Sequence, residues 1–260
     1  MTIIHTIVLG IIEGLTEFLP VSSTFHLIFS AHILGLMQND FTKLFEVFIQ
    51  SGAILAVVFL YYKTFITDKE LLKKTCIAFL PTAIIGFAFY KIIKNVFFES
   101  NVLMLSVFIG VGILFILYEW IIVKKKISLD RSLETFTFKE AILIGFFQSF
   151  AIIPGVSRAG AVILGMMFLK FRRDESAKFS FLLSVPTLFA ASFLDLIKMR
   201  QIVFSSGNNM LLLGVGFFVS FIVAYIVIKW FIGYLQNHSL VLFGGYRVIA
   251  GLILFLFRVK

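Results

Sequence analysis

Charge is scarce in this chain. Asp, Glu, Lys and Arg make up 14% of its 260 residues, against roughly 25% in an average soluble domain. So few charges cannot cover a globular protein of this size with polar surface, which excludes a soluble enzyme. A disordered chain is excluded for the opposite reason, since apolar residues dominate. Cysteine is nearly absent too. Cys76 stands alone, so no intramolecular disulfide can form, and the redox compartment stays open. Alternation at strand period is missing, which argues against a transmembrane barrel. The first residues lack a basic n-region and a small-residue cleavage site, so the N-terminus reads as part of the mature protein.

Apolar side chains are what the sequence has. Hydrophobic residues reach 60%, 34 of them Phe, and mean hydropathy is +1.04. An all-α polytopic membrane protein follows. The net charge of +9 would suggest nucleic acid in a soluble domain. Here most basic residues fall in short loops between apolar runs, where they set membrane orientation. No nucleic-acid partner is expected.

Six apolar stretches approach the length needed to cross a hydrocarbon core of roughly 30 Å. They lie near 46–62, 76–93, 102–123, 177–197, 210–232 and 240–258. Two further regions are broken. Residues 3–37 are interrupted between Leu19 and Thr24, and residues 139–170 between Pro154 and Arg158. Pro removes a backbone donor and breaks a helix. Short apolar segments on either side of such a break mark re-entrant hairpins that line a cavity.

The broken regions also resemble each other. An offset of 135 superposes Gly10 on Gly145, Glu13 on Gln148, Val21 on Val156 and Ser22 on Ser157, with Ser23 meeting Arg158. Each half, about 1–123 and 139–260, then reads as a broken re-entrant helical hairpin plus three transmembrane helices. An odd number of crossings between the halves makes this an inverted repeat. Short loops predict one membrane domain over 1–260.

The basic residues predict orientation. The 63–75 loop carries Lys63, Lys69, Lys73 and Lys74, and the 124–139 loop carries Lys124, Lys125, Lys126, Arg131 and Lys139. Two crossings separate them, so both face the cytoplasm. The 170–178 stretch, with Lys170, Arg172, Arg173 and Lys178, joins them if 139–170 is re-entrant. The first hairpin then enters from the outer side and the second from the inner side. Lys198 and Arg200 form a minor exception outside.

Ionisable residues inside apolar segments are functional candidates by default. Glu13 and Glu17 are four apart, so a helix puts both carboxylates on one face. Two like charges in low dielectric call for a divalent cation or a shared proton. A distant Lys or Arg is the structural alternative. Ser22, Ser23 and Thr24 follow the break at Pro20 and open an apolar helix, where capping hydroxyls and free N–H groups suit an anion. His26 follows as a candidate acid, base or donor. His5, His32 and His238 read as structural.

The second cluster is Pro154-Gly155-Val156-Ser157-Arg158-Ala159-Gly160. Arg158 lies deep in an apolar region, and its planar fork matches phosphate oxygens two at a time. Pairing with Glu13 or Glu17 is the plainer role, and it would still leave Arg158 placed to hold an anion. Gly155 and Gly160 allow close backbone approach. Together the clusters suit a phosphate-bearing amphiphile. Glu46 and Gln50 could add a polar wall or pack on the first hairpin. Glu119 and Trp120 read as interface anchors.

These residues resemble the undecaprenyl-diphosphate phosphatase family, also called the bacitracin-resistance protein family. The match rests on Glu13 to Thr24, on Pro154 to Gly160, and on Phe45-Glu46-Val47 with Gln50 and Gly52, and it spans nearly the whole chain. The resemblance implies an enzyme of the bacterial cytoplasmic membrane, with its site toward the outer side. It would hydrolyse undecaprenyl diphosphate to undecaprenyl phosphate and inorganic phosphate, recycling the carrier for peptidoglycan and conferring bacitracin resistance. A divalent cation, magnesium or calcium, is implied as cofactor. Carried over, Glu13 and Glu17 bind metal or shuttle protons, and Arg158 holds the diphosphate. Ser22, Thr24, Ser157, Gly155 and Gln148 are the further substrate contacts. Ser23 is the first choice of nucleophile, before His26 and an activated water. The expected partners are a polyprenyl diphosphate lipid, the bilayer and, as the candidate assembly, a homodimer.

Phe25, Ala159 and Val162 depart from the family's usual Gly, Ser and Thr, and the last two remove hydroxyls near the expected phosphate site. An active enzyme is still expected. The competing reading is a transporter that binds and flips a polyprenyl phosphate, or carries an anion, through the same inverted repeat.

Overall fold

A computed structural model describes residues 1–97, 101–198, 203 and 207–256. The chain is an all-α polytopic membrane protein, and among the described residues there is no β-strand, only an isolated bridge between Arg131 and Phe171. The helices run α1 (Ile3–Thr16), α2 (Ser23–Ile33), α3 (Asp40–Leu60), α4 (Tyr62–Thr67), α5 (Lys69–Phe97) and α6 (Asn101–Lys124). They continue with α7 (Phe138–Ser149), α8 (Arg158–Phe168), α9 (Arg173–Lys198), α10 (Gly207–Asn237) and α11 (Val241–Leu256).

Five of the six expected spans are helices long and apolar enough to cross a membrane. The sixth, α11, has 16 described residues, and the last two residues of the expected 240–258 stretch lie outside the described ones. Several helices start earlier than the hydropathy suggests. Residues 63–75 are not a loop but α4 and the first turns of α5, and α9 begins at Arg173 within the expected 170–178 stretch. Lys, Glu and Arg are good helix formers, so a helix continues past the point where its residues stop being apolar. Arg200 lies outside the described residues.

Caps fix three of the helix starts. Asn39 accepts from the Thr42 amide at 2.9 Å and starts α3. Thr137 and Glu140 close a reciprocal capping box at the start of α7, which satisfies two orphan donors. His5 completes a similar box with Thr2 at α1, and His238 stacks on Tyr234, so both are structural as expected.

The order of elements repeats: a short helix pair, then long helices. The packing repeats with it. Helix α1 packs on α10 of the other half, as α7 packs on α5. Helix α3 meets both α10 and α9, and α5 also meets α9. Helix α6 crosses α11. Exchanging α1 with α7, α3 with α9, α5 with α10 and α6 with α11 carries these pairings onto each other. Each short pair therefore leans on a long helix from the opposite half. Glycines permit the close crossings: a Cβ at Gly145 would fall on the Ala78 carbonyl, and one at Gly14 would lie 2.7 Å from Val223 Cβ.

Glu119 is not the interface anchor expected from sequence. It is 2% exposed, accepts from Arg173 Nε at 2.8 Å and from Nη2, and caps the Leu240 amide at 2.9 Å. It ties α6 to α9 and to the start of α11. A carboxylate one residue before an exposed Trp looks interfacial only until its distant partners are known. Trp120 itself is exposed, with Lys124 Nζ 4.3 Å from its ring centre.

Candidate active site

The two breaks meet. Between them lies a cavity of about 170 Å³. Its walls include Glu17, Ser22, Ser23 and Thr24 from the first break, and Gly155, Ser157 and Arg158 from the second. Gln50, Thr82, Gln148 and Thr187 complete the polar lining.

Backbone conformation explains the shape of both breaks. Ser22 has φ +67° and Ser157 has φ +76°, a region that few non-glycine residues adopt. Both precede helices of 11 residues, α2 and α8, and they are the residues superposed by the 135 offset. Each turn points a helix N-terminus at the cavity, with its free N–H groups and partial positive charge. Ser157 Oγ accepts from the Gly160 amide at 3.2 Å and caps α8. Contrary to the capping expectation, Ser22 makes no side-chain cap bond among the described residues, and the hydroxyl of the next residue, Ser23, donates to Glu17 instead of capping the helix. Gly155 has φ +95°, and a Cβ there would sit 2.7 Å from the Met104 carbonyl oxygen, so only glycine fits.

Glu17 is the centre of the polar network. It is buried, accepts from Ser23 Oγ at Oε2 and from Arg158 Nη2 at Oε1, the latter at 3.1 Å. Arg158 Nη1 donates to the Ser180 carbonyl at 2.8 Å. Its Nε is buried and, among the described residues, has no acceptor. The arginine thus combines the plainer pairing expected from sequence with a position in the cavity wall. Gln148 Nε2 donates to Thr82 Oγ1 at 2.9 Å and to Thr187 Oγ1 at 3.1 Å. It lines the cavity and cross-links α5, α7 and α9.

Glu13 sits behind Glu17, fully buried, and among the described residues neither of its carboxylate oxygens has a hydrogen-bond donor. Among the described residues no group of three or more His, Cys, Asp or Glu gathers as a metal cluster. A hard divalent cation needs less: one or two carboxylates, with water and phosphate oxygens supplying the rest. Two orphaned oxygens one turn from Glu17 fit that demand.

His26 departs from expectation. Its Nδ1 is 2.8 Å from the Ser22 carbonyl oxygen and its Nε2 2.7 Å from Tyr246 Oη. It does not line the cavity. Both ring nitrogens are committed, one to the Ser22 carbonyl at the first break and one to Tyr246 of α11, so it braces the first break instead of facing the reacting centre. Sequence spacing cannot reveal a partner 220 residues away. Gln50 lines the cavity, whereas Glu46 accepts from Gln38 at 3.1 Å and stays out of it.

None of the three family departures lines the cavity. Phe25 stacks on Phe108 at 3.8 Å, and Ala159 and Val162 are buried among apolar neighbours. Sequence reading passed over Thr82, Thr187, Ser180 and Arg247. Hydroxyls in apolar helices carry little signal. Arg247, a lone cation in an apolar segment, carried the same signal that singled out Arg158.

A family model described as bacitracin resistance protein BacA matches residues 6–253. The chain is 46% identical over 254 residues to the undecaprenyl-diphosphatase of Aquifex aeolicus (strain VF5), covering 97% of each chain. It is 48% identical over 257 residues to the undecaprenyl-diphosphatase of Persephonella marina (strain DSM 14350 / EX-H1), covering 99% of each. With the protein of that name from Bdellovibrio bacteriovorus it shares 41% over 254 residues, covering 98% of this chain and 95% of the other.

Proposed function

Since the chain belongs to the bacitracin resistance protein BacA family, we propose that it hydrolyses undecaprenyl diphosphate to undecaprenyl phosphate and inorganic phosphate. The observation that carries this reading is Glu17 holding a serine hydroxyl and a guanidinium at once, in a polar cavity inside an apolar fold. A nucleophile needs a base in hydrogen-bond reach. Ser23 has one.

The lipid's diphosphate enters between the breaks, and its tail lies along apolar helix faces. Arg158 turns its fork from Glu17 and Ser180 toward the terminal phosphoryl oxygens. The N-termini of α2 and α8 add N–H donors there. Ser23 Oγ attacks the terminal phosphorus and passes its proton to Glu17 Oε2. The bond from that phosphorus to the bridging oxygen breaks, and undecaprenyl phosphate leaves. Water then hydrolyses the phosphoserine, inorganic phosphate departs, and Ser23 regains a proton. Arg158 stabilises the charge that builds on the phosphoryl oxygens in both steps.

Glu13 and Glu17 are the residues that would hold a magnesium or calcium ion, which when bound supplies neutralising charge beside the diphosphate. Undecaprenyl phosphate returned by this reaction re-enters wall synthesis, and removal of the diphosphate takes away bacitracin's target. The enzyme belongs in the bacterial cytoplasmic membrane as one domain, its halves inverted and its cavity toward the outer side. A homodimer is the assembly this reading allows.

Purified wild type in detergent should release phosphate from undecaprenyl diphosphate, and a chelator should stop it. Folded Glu17→Gln and Arg158→Ala variants should release none. Tight lipid binding by folded wild type with no phosphate released would favour a carrier instead.

A further inference from the structure

Arg247 is fully buried in α11, and among the described residues it pairs with no carboxylate. An unpaired cation inside an apolar bundle is expensive to keep. Its guanidinium donates instead to three backbone carbonyls: Nε to Phe108 at 3.0 Å, Nη1 to Pro20 at 3.1 Å, and Nη2 to Gly155. Phe108 and Phe115 lie against its charge, with ring centres 4.5 and 5.6 Å away.

Two of those carbonyls are related. Pro20 and Gly155 are separated by the same 135 residues that relate Ser22 to Ser157. Each lies two residues before the turn that starts a cavity-facing helix. One planar group therefore grips the matching point of both breaks. The first break carries Glu17 and Ser23, and the second carries Arg158. The preceding residue, Tyr246, reaches the first break too, through His26 to the Ser22 carbonyl.

We infer that Arg247 is a positioning residue for phosphoryl transfer, fixing the distance between the Ser23 side and the Arg158 side of the cavity. It does not line the cavity, so it acts through the two breaks and not on the substrate. The fork geometry is essential, because a rigid plane can hold three carbonyls in fixed directions and an ammonium on a flexible stem cannot. The proposal rests on the phosphatase reading above.

The test compares full-length wild type, Arg247→Met and Arg247→Lys in detergent, by phosphate-release kinetics and by hydrogen exchange over residues 17–26 and 152–160. Misplacing reacting groups by about 1 Å costs on the order of 100-fold in rate. Arg247→Met should lose about that factor in kcat, with KM changed far less, and exchange should quicken at both breaks together. Arg247→Lys should recover part of the kcat. A folded Met variant with wild-type kcat, or with faster exchange at one break only, would overturn the proposal. If the Met variant does not fold, wild-type kcat in the Lys variant overturns it, and a loss of about tenfold or more supports it. Absence of phosphate release from wild type would count against the phosphatase reading; exchange at the two breaks would still decide the role of Arg247.

Discussion

Arg158 Nη2 and Glu17 Oε1 meet at 3.1 Å across 141 residues of sequence, with side chains 9% and 4% exposed. This ion pair joins the two breaks from within the cavity wall. It also keeps the arginine poised, because an arriving phosphate offers the same planar match that the carboxylate does.

Arg158→Ala leaves Glu17 buried without its cation. Breaking such a pair costs roughly 3–5 kcal/mol, so the variant should melt well below wild type as well as lose activity. Arg158→Lys should retain most of the stability yet lose on the order of 100-fold in kcat, because one ammonium cannot replace the fork. Thermal unfolding beside phosphate release separates the two effects. A Lys variant with wild-type kcat would remove bidentate recognition from the account.

Glu13→Gln tests the cation. Among the described residues the wild-type carboxylate has no hydrogen-bond donor, so removing its buried charge beside Glu17 should leave stability unchanged or raised. Activity should then demand at least about tenfold more magnesium or calcium, as expected on losing a metal-site group. The measurement is a metal titration of chelated protein, with melting curves alongside. An unchanged metal midpoint would take Glu13 out of the site.

Gly145→Ala should destabilise by roughly 1–3 kcal/mol, since the new methyl meets the backbone of α5 at Ala78 and cannot displace it. Gly214→Ala is the control. Among the described residues nothing lies within 4 Å of its would-be Cβ, so helix propensity acts there without a clash, and a gain of up to about 1 kcal/mol is expected. Equal melting temperatures for the two variants would contradict the close α5–α7 crossing.

Restoring the family hydroxyls should change little. Ala159→Ser and Val162→Thr place a polar group among apolar side chains, away from the cavity. Each should cost about 1–3 kcal/mol of stability and leave kcat within about threefold. A large rise in kcat would mean that these positions reach the substrate after all.

The breaks were legible because Pro20, Pro154 and Gly155 act locally on the backbone, whatever surrounds them. Glu13, Glu17 and Arg158 were legible because charge in an apolar run is costly anywhere. The helix starts at Lys69 and Arg173 were not legible, because there helicity begins before the apolar run does. The roles of His26, Glu119 and Arg247 depend on Tyr246, Arg173 and the Pro20 and Gly155 carbonyls, all far away in sequence. Such partners are chosen by how helices pack, and no local pattern encodes them.

The interlocked halves impose a schedule on biosynthesis. At roughly 5–20 residues per second, Glu17 leaves the ribosome on the order of ten seconds before Arg158, and Arg247 follows later still. During that interval the first hairpin holds Glu13 and Glu17 with neither arginine present, and α1 also lacks α10, the helix it packs on. Every residue that lines the cavity has been made by Leu188, yet Arg247, whose guanidinium holds the Pro20 and Gly155 carbonyls, arrives only with the final helix, so a chain that stalls short of α11 delivers both hairpins to the bilayer without the clamp between them.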